Sequence, residues 1–304
     1  MKRLMYISFL FIALPSVAQF SPQYNSYMLN GLVINPAFTG TRECLSIVGV
    51  HSSQWVGFDG APRSDFFSVH APANNNHAVG LSIMNDNIGV QNQTGIFPSY
   101  AYHLKLSNTQ KLSFGVNLGV NFFNIRNTEV KTNVADLAFQ QNVKLRSLPN
   151  IGAGLYYYTK SFYSGLSSPA LFTNELSAAS VQEDLFKMNV KRTVFMLTSG
   201  GNINITRDLV WKPSFLFKAM LSNIFQLDLN CNIDYKDKLK AGLSYRHKDA
   251  IVGFIGFRFN PKFDLAYSYS YPLSNIVRVS SGSHEIVIRF ELRKKVATFN
   301  PRYF

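Results

Sequence analysis

The stretch from Gln226 to Leu292 alternates apolar and polar side chains in several consecutive segments. In the first segment every second residue from Leu227 to Tyr235 is apolar, and the residues between them are Asp or Asn. A period of two places all the apolar side chains on one face of an extended strand. A helix, at about 100° per residue, would scatter the carboxylates through its apolar stripe. The connections KDK, HKD and NPK are short, so the stretch predicts antiparallel hairpins with one apolar face.

Composition decides what that apolar face can meet. The 304 residues include 26 Phe and 15 Tyr, but only 15% are charged, whereas a soluble domain carries about 25%. Much of the surface is therefore not built to face water. Beyond the first twenty positions the chain has no run of about 18 apolar residues, which excludes a bundle of membrane-spanning helices. The apolar face must then meet either a second sheet or lipid.

The lengths of the connections favour lipid. About fourteen strands are predicted between Leu45 and Leu292, and the connections after even-numbered strands are short. Connections after odd-numbered strands are often long, as at 124–149, 167–192 and 272–284. A transmembrane barrel has short periplasmic turns and longer outer loops, whereas a soluble sandwich has no reason to sort them. We therefore predict an all-β fold, a transmembrane antiparallel β-barrel of about fourteen strands over residues 44–292.

This fold assigns a side of the wall to each alternating residue. Four residues represent the predicted lipid-facing belt: Leu229, Leu243, Leu265 and Ile288. The lumen-facing positions carry both signs of charge: Lys240, Arg246, Arg258, Arg289, Asp228, Asp234, Asp264 and Glu285. Opposite charges on neighbouring strands are expected to neutralise one another. Two groups of tyrosines near strand ends suit interfacial aromatic girdles, at 156–158 and at 267, 269 and 271.

The N-terminus predicts export. Residues 1–18 contain Lys2 and Arg3, a short apolar run and small residues before Gln19, the pattern of a cleaved signal peptide. Residues 19–43 are too apolar for a free tail and too irregular for a strand. A barrel of about fourteen strands lies between small filled barrels and aqueous porins, so we expect this segment to plug the lumen. Glycines in GVNLGVNF and IGAGLYYY are expected to admit the close approach of an interior element.

The motif NPAFTG at residues 35–40, with QYNSYMLN just ahead of it, resembles the PorP/SprF family of type IX secretion membrane proteins. The likeness continues through a strand ending near Gln54 and hairpins to the C-terminus. It implies an outer-membrane protein of a Gram-negative bacterium that glides or secretes proteins. It also implies a role in exporting or anchoring a large surface adhesin through the C-terminal secretion domain of that adhesin. Periplasmic or lipoprotein subunits of the secretion machinery would be further partners, and no catalytic residues are implied.

Candidate partner-binding residues come from two places. The first is the motif itself, with Asn35, Pro36, Ala37 and Phe38. The second is the loop at 167–192, which exceeds the usual loop length. Its residues 178–186 can form a short helix capped by Ser180 and Glu183, which would present Glu183 and Phe186 to an adhesin. Short outer connections near 222–225 and 248–249 would leave the rim low enough to admit a bulky partner. Residues 293–304 are expected to form a basic periplasmic tail.

Other classes of function lack a sequence signal. The six histidines show no metal-ligand spacing, and neither a nucleophile elbow nor a dinucleotide fingerprint occurs. The formal net charge is +13, but no basic stripe with interleaved aromatics suggests nucleic acid. We expect a protein without catalytic activity, metal or cofactor. Two functions remain: a barrel that binds an adhesin, and a plugged diffusion channel or transporter for small hydrophobic solutes.

Overall fold

The strands form one closed antiparallel sheet in the computed structural model, which describes residues 24–129, 142–171, 193–222 and 224–292. They are β1 (Leu45–Ser53), β2 (Arg63–Pro72), β3 (His77–Ile88), β4 (Gln91–Lys105), β5 (Lys111–Ile125), β6 (Val143–Tyr158), β7 (Phe162–Ser168), β8 (Val194–Gly201), β9 (Ile203–Asn204), β10 (Leu209–Met220), β11 (Ile224–Tyr235), β12 (Leu239–Arg246), β13 (Ala250–Asn260), β14 (Phe263–Pro272) and β15 (Ser283–Leu292). The sheet closes because β1 pairs with β15 and β10 pairs with β11. Both β8 and β9 pair with β10 and are separated by Asn202 alone, so they form one interrupted strand. The wall therefore has fourteen strands, which confirms the predicted fold.

Side chains alternate across this wall as the period of two requires. On β11, Asp228 is buried in the lumen whereas Leu229 is 48% exposed on the outside. Leu243 and Ile288 are likewise outward and exposed, at 64% and 46%. Leu265 is half-buried on the same outer face, between its cross-strand neighbours Phe257 and Ile288. The four predicted belt residues thus lie on the outer surface, and their contact with lipid remains a prediction.

The wall is taller on one side than the sequence predicts. From the alternation, we expect the third strand to end at Met84 and the fourth to begin at Gly95, but both continue to a two-residue turn at 89–90. We likewise expect the sixth strand to begin at Asn150, but β6 starts at Val143. The expectation is wrong for β3 and β4 because the residues added near their turn are mostly polar on both faces, so the alternation fades while the backbone ladder continues. It is wrong for β6 because Val143, Leu145 and Leu148 do not keep a period of two, although the ladder with β5 continues there. Strands β3–β6 have 12 to 16 residues, whereas β11–β14 have 8 to 12.

Several predictions lie outside the described residues. They are the signal peptide at 1–18, the first part of the 19–43 segment, the helix at 178–186 with Glu183 and Phe186, and the tail at 293–304. The described part of the chain contains no helix with the length and apolar character needed to cross a membrane.

Candidate functional site

The N-terminal segment fills the lumen. We call residues 24–42 the plug, and every one of them except Val33 is buried. At the short-turn end of the barrel Arg42 forms an ion pair with Glu291, near the end of β15. Toward the long-loop end, the backbone N–H of Asn25 donates to Glu285, near the start of β15. The plug therefore runs lengthwise through the barrel, from the long-loop end at Tyr24 to the short-turn end at Arg42.

Asn35 and Pro36 build the turn at the centre of the plug. The Asn35 side chain accepts a hydrogen bond from Ala37 N at 2.9 Å, which caps the 3-10 helix Pro36–Phe38. Pro36 occupies its first turn, where the missing N–H costs nothing. The Asn35 amide nitrogen also donates to the Leu155 carbonyl of β6 at 2.9 Å. One side chain thus shapes the turn and joins it to the wall.

Two glycines make the room that this turn needs. A Cβ atom at Gly115 would lie 2.1 Å from Ala37 N, and one at Gly154 would lie 2.1 Å from Asn35 Oδ1. Because such distances are far shorter than any van der Waals contact, only glycine lets the plug reach β5 and β6. The expectation that these glycines admit an interior element is confirmed. Phe38 then packs edge-on against the rings of Tyr156 and His70.

Thr39 and Gly40 are held by two buried histidines. Gly40 N donates to His70 Nδ1 at 3.0 Å, and the Thr39 carbonyl lies 2.9 Å from His103 Nε2. Gly40 has φ +76°, and an added Cβ atom would lie 2.2 Å from Ala78 Cβ. This position therefore requires glycine for its backbone angle and for its space. Each residue from Asn35 to Gly40 has a defined role in seating the plug, which accounts for the motif.

The preceding part of the plug meets a charged wall. The Glu285 carboxylate accepts from the backbone N–H groups of Asn25 and Ser26, both at 2.8 Å, and from the Ser26 hydroxyl. Arg246 donates to the Asn25 side chain at 3.3 Å. Asn230 donates to the Tyr27 hydroxyl at 2.6 Å. These bonds tie residues 25–27 to β11, β12 and β15.

Most of the other lumen charges neutralise one another, as the sequence predicts. Arg258 pairs with Asp264 at 2.7 Å, and Arg289 contacts the same carboxylate. The remaining predicted pairs are Lys240–Asp234 at 3.5 Å and Arg246–Asp228 at 3.3 Å. Glu285 departs from the prediction, because its hydrogen bonds go to the plug rather than to a neighbouring cation.

The girdle prediction is wrong for two tyrosines. Tyr156 and Tyr158 are buried in the lumen, where Tyr156 stacks on Tyr163 and the Tyr158 hydroxyl lies 3.0 Å from His103 Nδ1. Three consecutive residues of a strand cannot share one face, so only Tyr157 points outward. On β14, Tyr267, Tyr269 and Tyr271 do lie on the outer face near the long-loop end.

Two cavities between the plug and the wall are small. One cavity beside Tyr27 and Asn35 and another beside Met28 and Lys240 each have a volume of about 20 Å³, and a single water needs about 10–15 Å³. Solute-sized passages are therefore absent at these two places in the described lumen. Within the described residues no group of three or more His, Cys, Asp or Glu side chains is placed to hold a metal ion.

The structure describes four of the six predicted partner-binding residues. Asn35, Pro36, Ala37 and Phe38 are buried against the wall, and Ala37 is 0% exposed, so a partner reaches them only if the plug leaves its seat. Their partner-binding role remains a prediction, as does that of Glu183 and Phe186. The sequence did not single out His70 and His103. Their inward positions in the alternation are visible in the sequence, but their contacts with the plug are not.

Comparison with known proteins identifies a family. The family model described as "Type IX secretion system membrane protein PorP/SprF" matches residues 16–290. Comparison with curated protein sequences gives no match. The family match and the barrel architecture together indicate an outer-membrane protein.

The solved structures that this chain matches include two channels and an outer-membrane protein, all at low sequence identity. The TodX deltaS2S3 mutant monoaromatic hydrocarbon channel has a TM-score of 0.49 at 9% identity, over 88% of this chain and 94% of that one. The CymD monoaromatic hydrocarbon channel has a TM-score of 0.48 at 12% identity with the same coverage. Omp33 of Acinetobacter baumannii has a TM-score of 0.45 at 9% identity, over 82% and 98% of the two chains.

Proposed function

We propose that this chain, which belongs to the type IX secretion system membrane protein family PorP/SprF, binds a large secreted surface adhesin and helps to export or anchor it. The adhesin would be recognised through its C-terminal secretion domain, and the barrel would catalyse no reaction. The family match over residues 16–290 carries this proposal. Export through a cleaved signal peptide and contact with other secretion subunits, including periplasmic or lipoprotein subunits, belong to the same proposal, as does a role in gliding.

The filled lumen supports a carrier rather than a conduit. Residues 24–42 occupy the barrel from end to end, and the two cavities beside Tyr27 and beside Met28 have room for about one water each. A folded or extended adhesin would therefore not pass beside the plug at these two places. We infer that the adhesin is held on the outer end of the barrel while another component conducts it.

The shape of the outer end offers a place for a bulky partner. The connections from β10 to β11 and from β12 to β13 are short, and they leave a low rim beside β10–β13. Strands β3–β6 stand taller on the other side of the barrel. A partner resting on the low rim would be bounded on one side by this taller wall. The loop that carries Glu183 and Phe186 starts after β7, which lies between the tall strands β3–β6 and the low rim.

Recovery of the partner from mild detergent tests the proposal. The wild-type barrel is expected to bring down a very large secreted protein in stoichiometric amount, and the double change Glu183→Lys with Phe186→Ala is expected to reduce its recovery strongly. Phe58→Ala is the matched control, because Phe58 is 47% exposed in a different outer loop. Failure of the wild type to recover any secreted protein would contradict the proposal.

The alternative, a plugged channel for small hydrophobic solutes, predicts a different result. Uptake of such solutes by cells with the wild-type barrel, together with no recovered partner, would support it. Deletion of residues 19–40 separates the two functions further. If the plug seals the lumen, the deleted form should conduct ions in planar bilayers and the wild type should not. Equal conductance of the two forms would show that residues 19–40 do not close the barrel.

A further inference from the structure

The outer surface of the barrel carries a polar patch where lipid-facing residues would be expected. Two complete cross-strand rows on β1–β4 contain only polar side chains, and we call these eight residues the polar rows. The upper row is Ser53, Arg63, Asn87 and Asn92, and the lower row is His51, Asp65, Asn85 and Thr94. All eight alternate with lumen-facing residues, so they point away from the barrel.

The opposite side of the barrel shows that this polarity is local. On β11–β14 the outward residues near the long-loop end remain apolar or aromatic, with Phe225, Tyr245, Ile251 and Tyr271 all exposed. On β1–β4 the apolar belt stops lower. Phe67, Ile83 and Ile96 are the last apolar outward residues on β2, β3 and β4, directly below the lower row. The polar rows therefore lie at the height of lipid headgroups.

Four residues of the polar rows form a connected hydrogen-bond network. Asn85 donates to Thr94 at 2.8 Å, and Asn87 donates to Asn85 at 2.7 Å. Asn92 donates to Asn87 at 2.5 Å. The amides that remain half-exposed offer donors and acceptors side by side, the combination that sugar hydroxyls require. The network holds these groups in fixed positions before any ligand arrives.

The charges add a preference for phosphate. Asp65 is paired with His51 at 2.7 Å. The Arg63 side chain is exposed, and no side-chain hydrogen bond or ion pair joins its guanidinium to another described residue. A free guanidinium beside amides fits a phosphate oxygen pair through two parallel hydrogen bonds. From β1 to β4 the rows span about 14 Å, which is room for a disaccharide. A protein interface would instead have aromatic residues at its centre, and the polar rows have none.

We propose that the polar rows bind the phosphorylated sugar headgroup of lipopolysaccharide in the outer leaflet. The long loops mark this end of the barrel as the outer one, and lipopolysaccharide is the lipid of that leaflet. Its phosphate would pair with Arg63, and its sugar hydroxyls would bond to Asn87, Asn92 and the row below. This site is independent of the adhesin and of the plug.

Binding is tested with purified barrel in mixed micelles that contain either lipopolysaccharide or phosphatidylglycerol. Arg63→Gln is expected to weaken lipopolysaccharide binding about tenfold, the loss typical of one charged hydrogen-bonded contact. Arg278→Gln is the matched control, because it removes the same charge from an exposed loop on the same end and should leave binding unchanged. Asn87→Ala with Asn92→Ala should weaken binding without changing the charge.

Three outcomes would overturn this proposal. The first is equal lipopolysaccharide binding by the wild type and both row variants. The second is equal binding of phosphatidylglycerol, which would assign the effect to any anionic lipid. The third is recovery of a protein on this face in place of lipid. The heat-induced mobility shift of the folded barrel serves as the folding check, and since the replaced residues are outward and at least partly exposed, each variant should retain it.

Discussion

Two parts of the lumen wall hold the plug by different physical means. The neutral face, formed by lumen-facing residues of β4–β7, surrounds Asn35–Gly40 with glycine, serine, asparagine and tyrosine and with His103. The charged face is formed by the lumen-facing residues of β10–β15, whose charged side chains pair with one another. It contacts residues 25–29 of the plug, and its Glu285 carboxylate accepts hydrogen bonds from them. On the neutral face the plug is held mainly by close packing against glycines. On the charged face it is held mainly by hydrogen bonds to charged side chains. Each face should therefore fail under a different kind of substitution.

The difference reflects what each part of the plug offers. The turn at Asn35–Phe38 satisfies its own backbone groups through capping, so it mainly needs space. The backbone N–H groups of Asn25 and Ser26 instead donate to a wall residue, Glu285. Buried donors are costly when they lack an acceptor, so a carboxylate on the wall is the suitable partner there.

The largest effect is expected from Gly115→Leu on the neutral face. The added side chain would overlap the backbone at Ala37, so the turn cannot seat and the free energy of unfolding should fall by about 3 kcal/mol or more, at the upper end of overpacking costs. Gly253→Leu is the control, because Gly253 lies on the outer face with nothing within 4 Å of an added Cβ atom. Denaturant unfolding in detergent measures both, and equal stability of the two variants would contradict the proposed seat.

The next prediction compares the lumen side of β12, which belongs to the charged face, with the outer side of the same strand. Arg246 is stable inside the barrel beside Asp228, but Leu243→Arg on the outer side of the same strand should cost about 2–4 kcal/mol if it lies near mid-bilayer. Leu221→Arg is the control, since Leu221 is exposed in an outer turn, where the cost falls to about 0–1 kcal/mol. Unfolding in lipid vesicles measures the difference. Normal assembly and stability of the Leu243→Arg variant would show that this residue faces something other than lipid.

Glu285→Gln should loosen only the part of the plug held by the charged face. Removing the charge weakens its bonds to Asn25 and Ser26, at a cost of about 1.5–3 kcal/mol for a charged acceptor. Hydrogen exchange should rise at residues 25–29 and stay low at 35–40. Glu129→Gln, at an exposed outer position, should change neither. Uniform loosening of both segments would show that the two faces hold the plug as one unit.

Asn35→Ala is expected to have the smallest effect. It removes the cap of the 3-10 helix and the bond to the Leu155 carbonyl, at a cost of about 0.5–2 kcal/mol. Here exchange should rise at 35–40 and not at 25–29, the reverse of the Glu285 result. Asn74→Ala serves as control, because Asn74 makes the same kind of side chain–backbone bond in an exposed turn. No increase at 35–40 would indicate that space alone seats the turn.

The sequence predicted the wall more fully than the site. Alternation identifies Asp228 as inward and Leu229 as outward, and the glycines at 115 and 154 signalled an approaching element. It failed where alternation fades, as in the polar ends of β3 and β4. The girdle prediction also failed at Tyr156 and Tyr158. It was based on their position near a strand end, whereas strict alternation would have placed both side chains in the lumen.

By itself the sequence determined which side of the wall each strand residue faces, because the period of a strand is a local property of consecutive residues. It also fixed the local shape of the motif, since the Asn35 cap and the Gly40 backbone angle depend on near neighbours. Only the tertiary structure decided where the plug is bound. The partners of Asn25 and Ser26 lie about 260 positions away on β15, and no local pattern specifies a contact between residues so far apart. Closure of the barrel brings β15 beside β1. Glu285 on β15 can then accept hydrogen bonds from the plug, which precedes β1 in the chain.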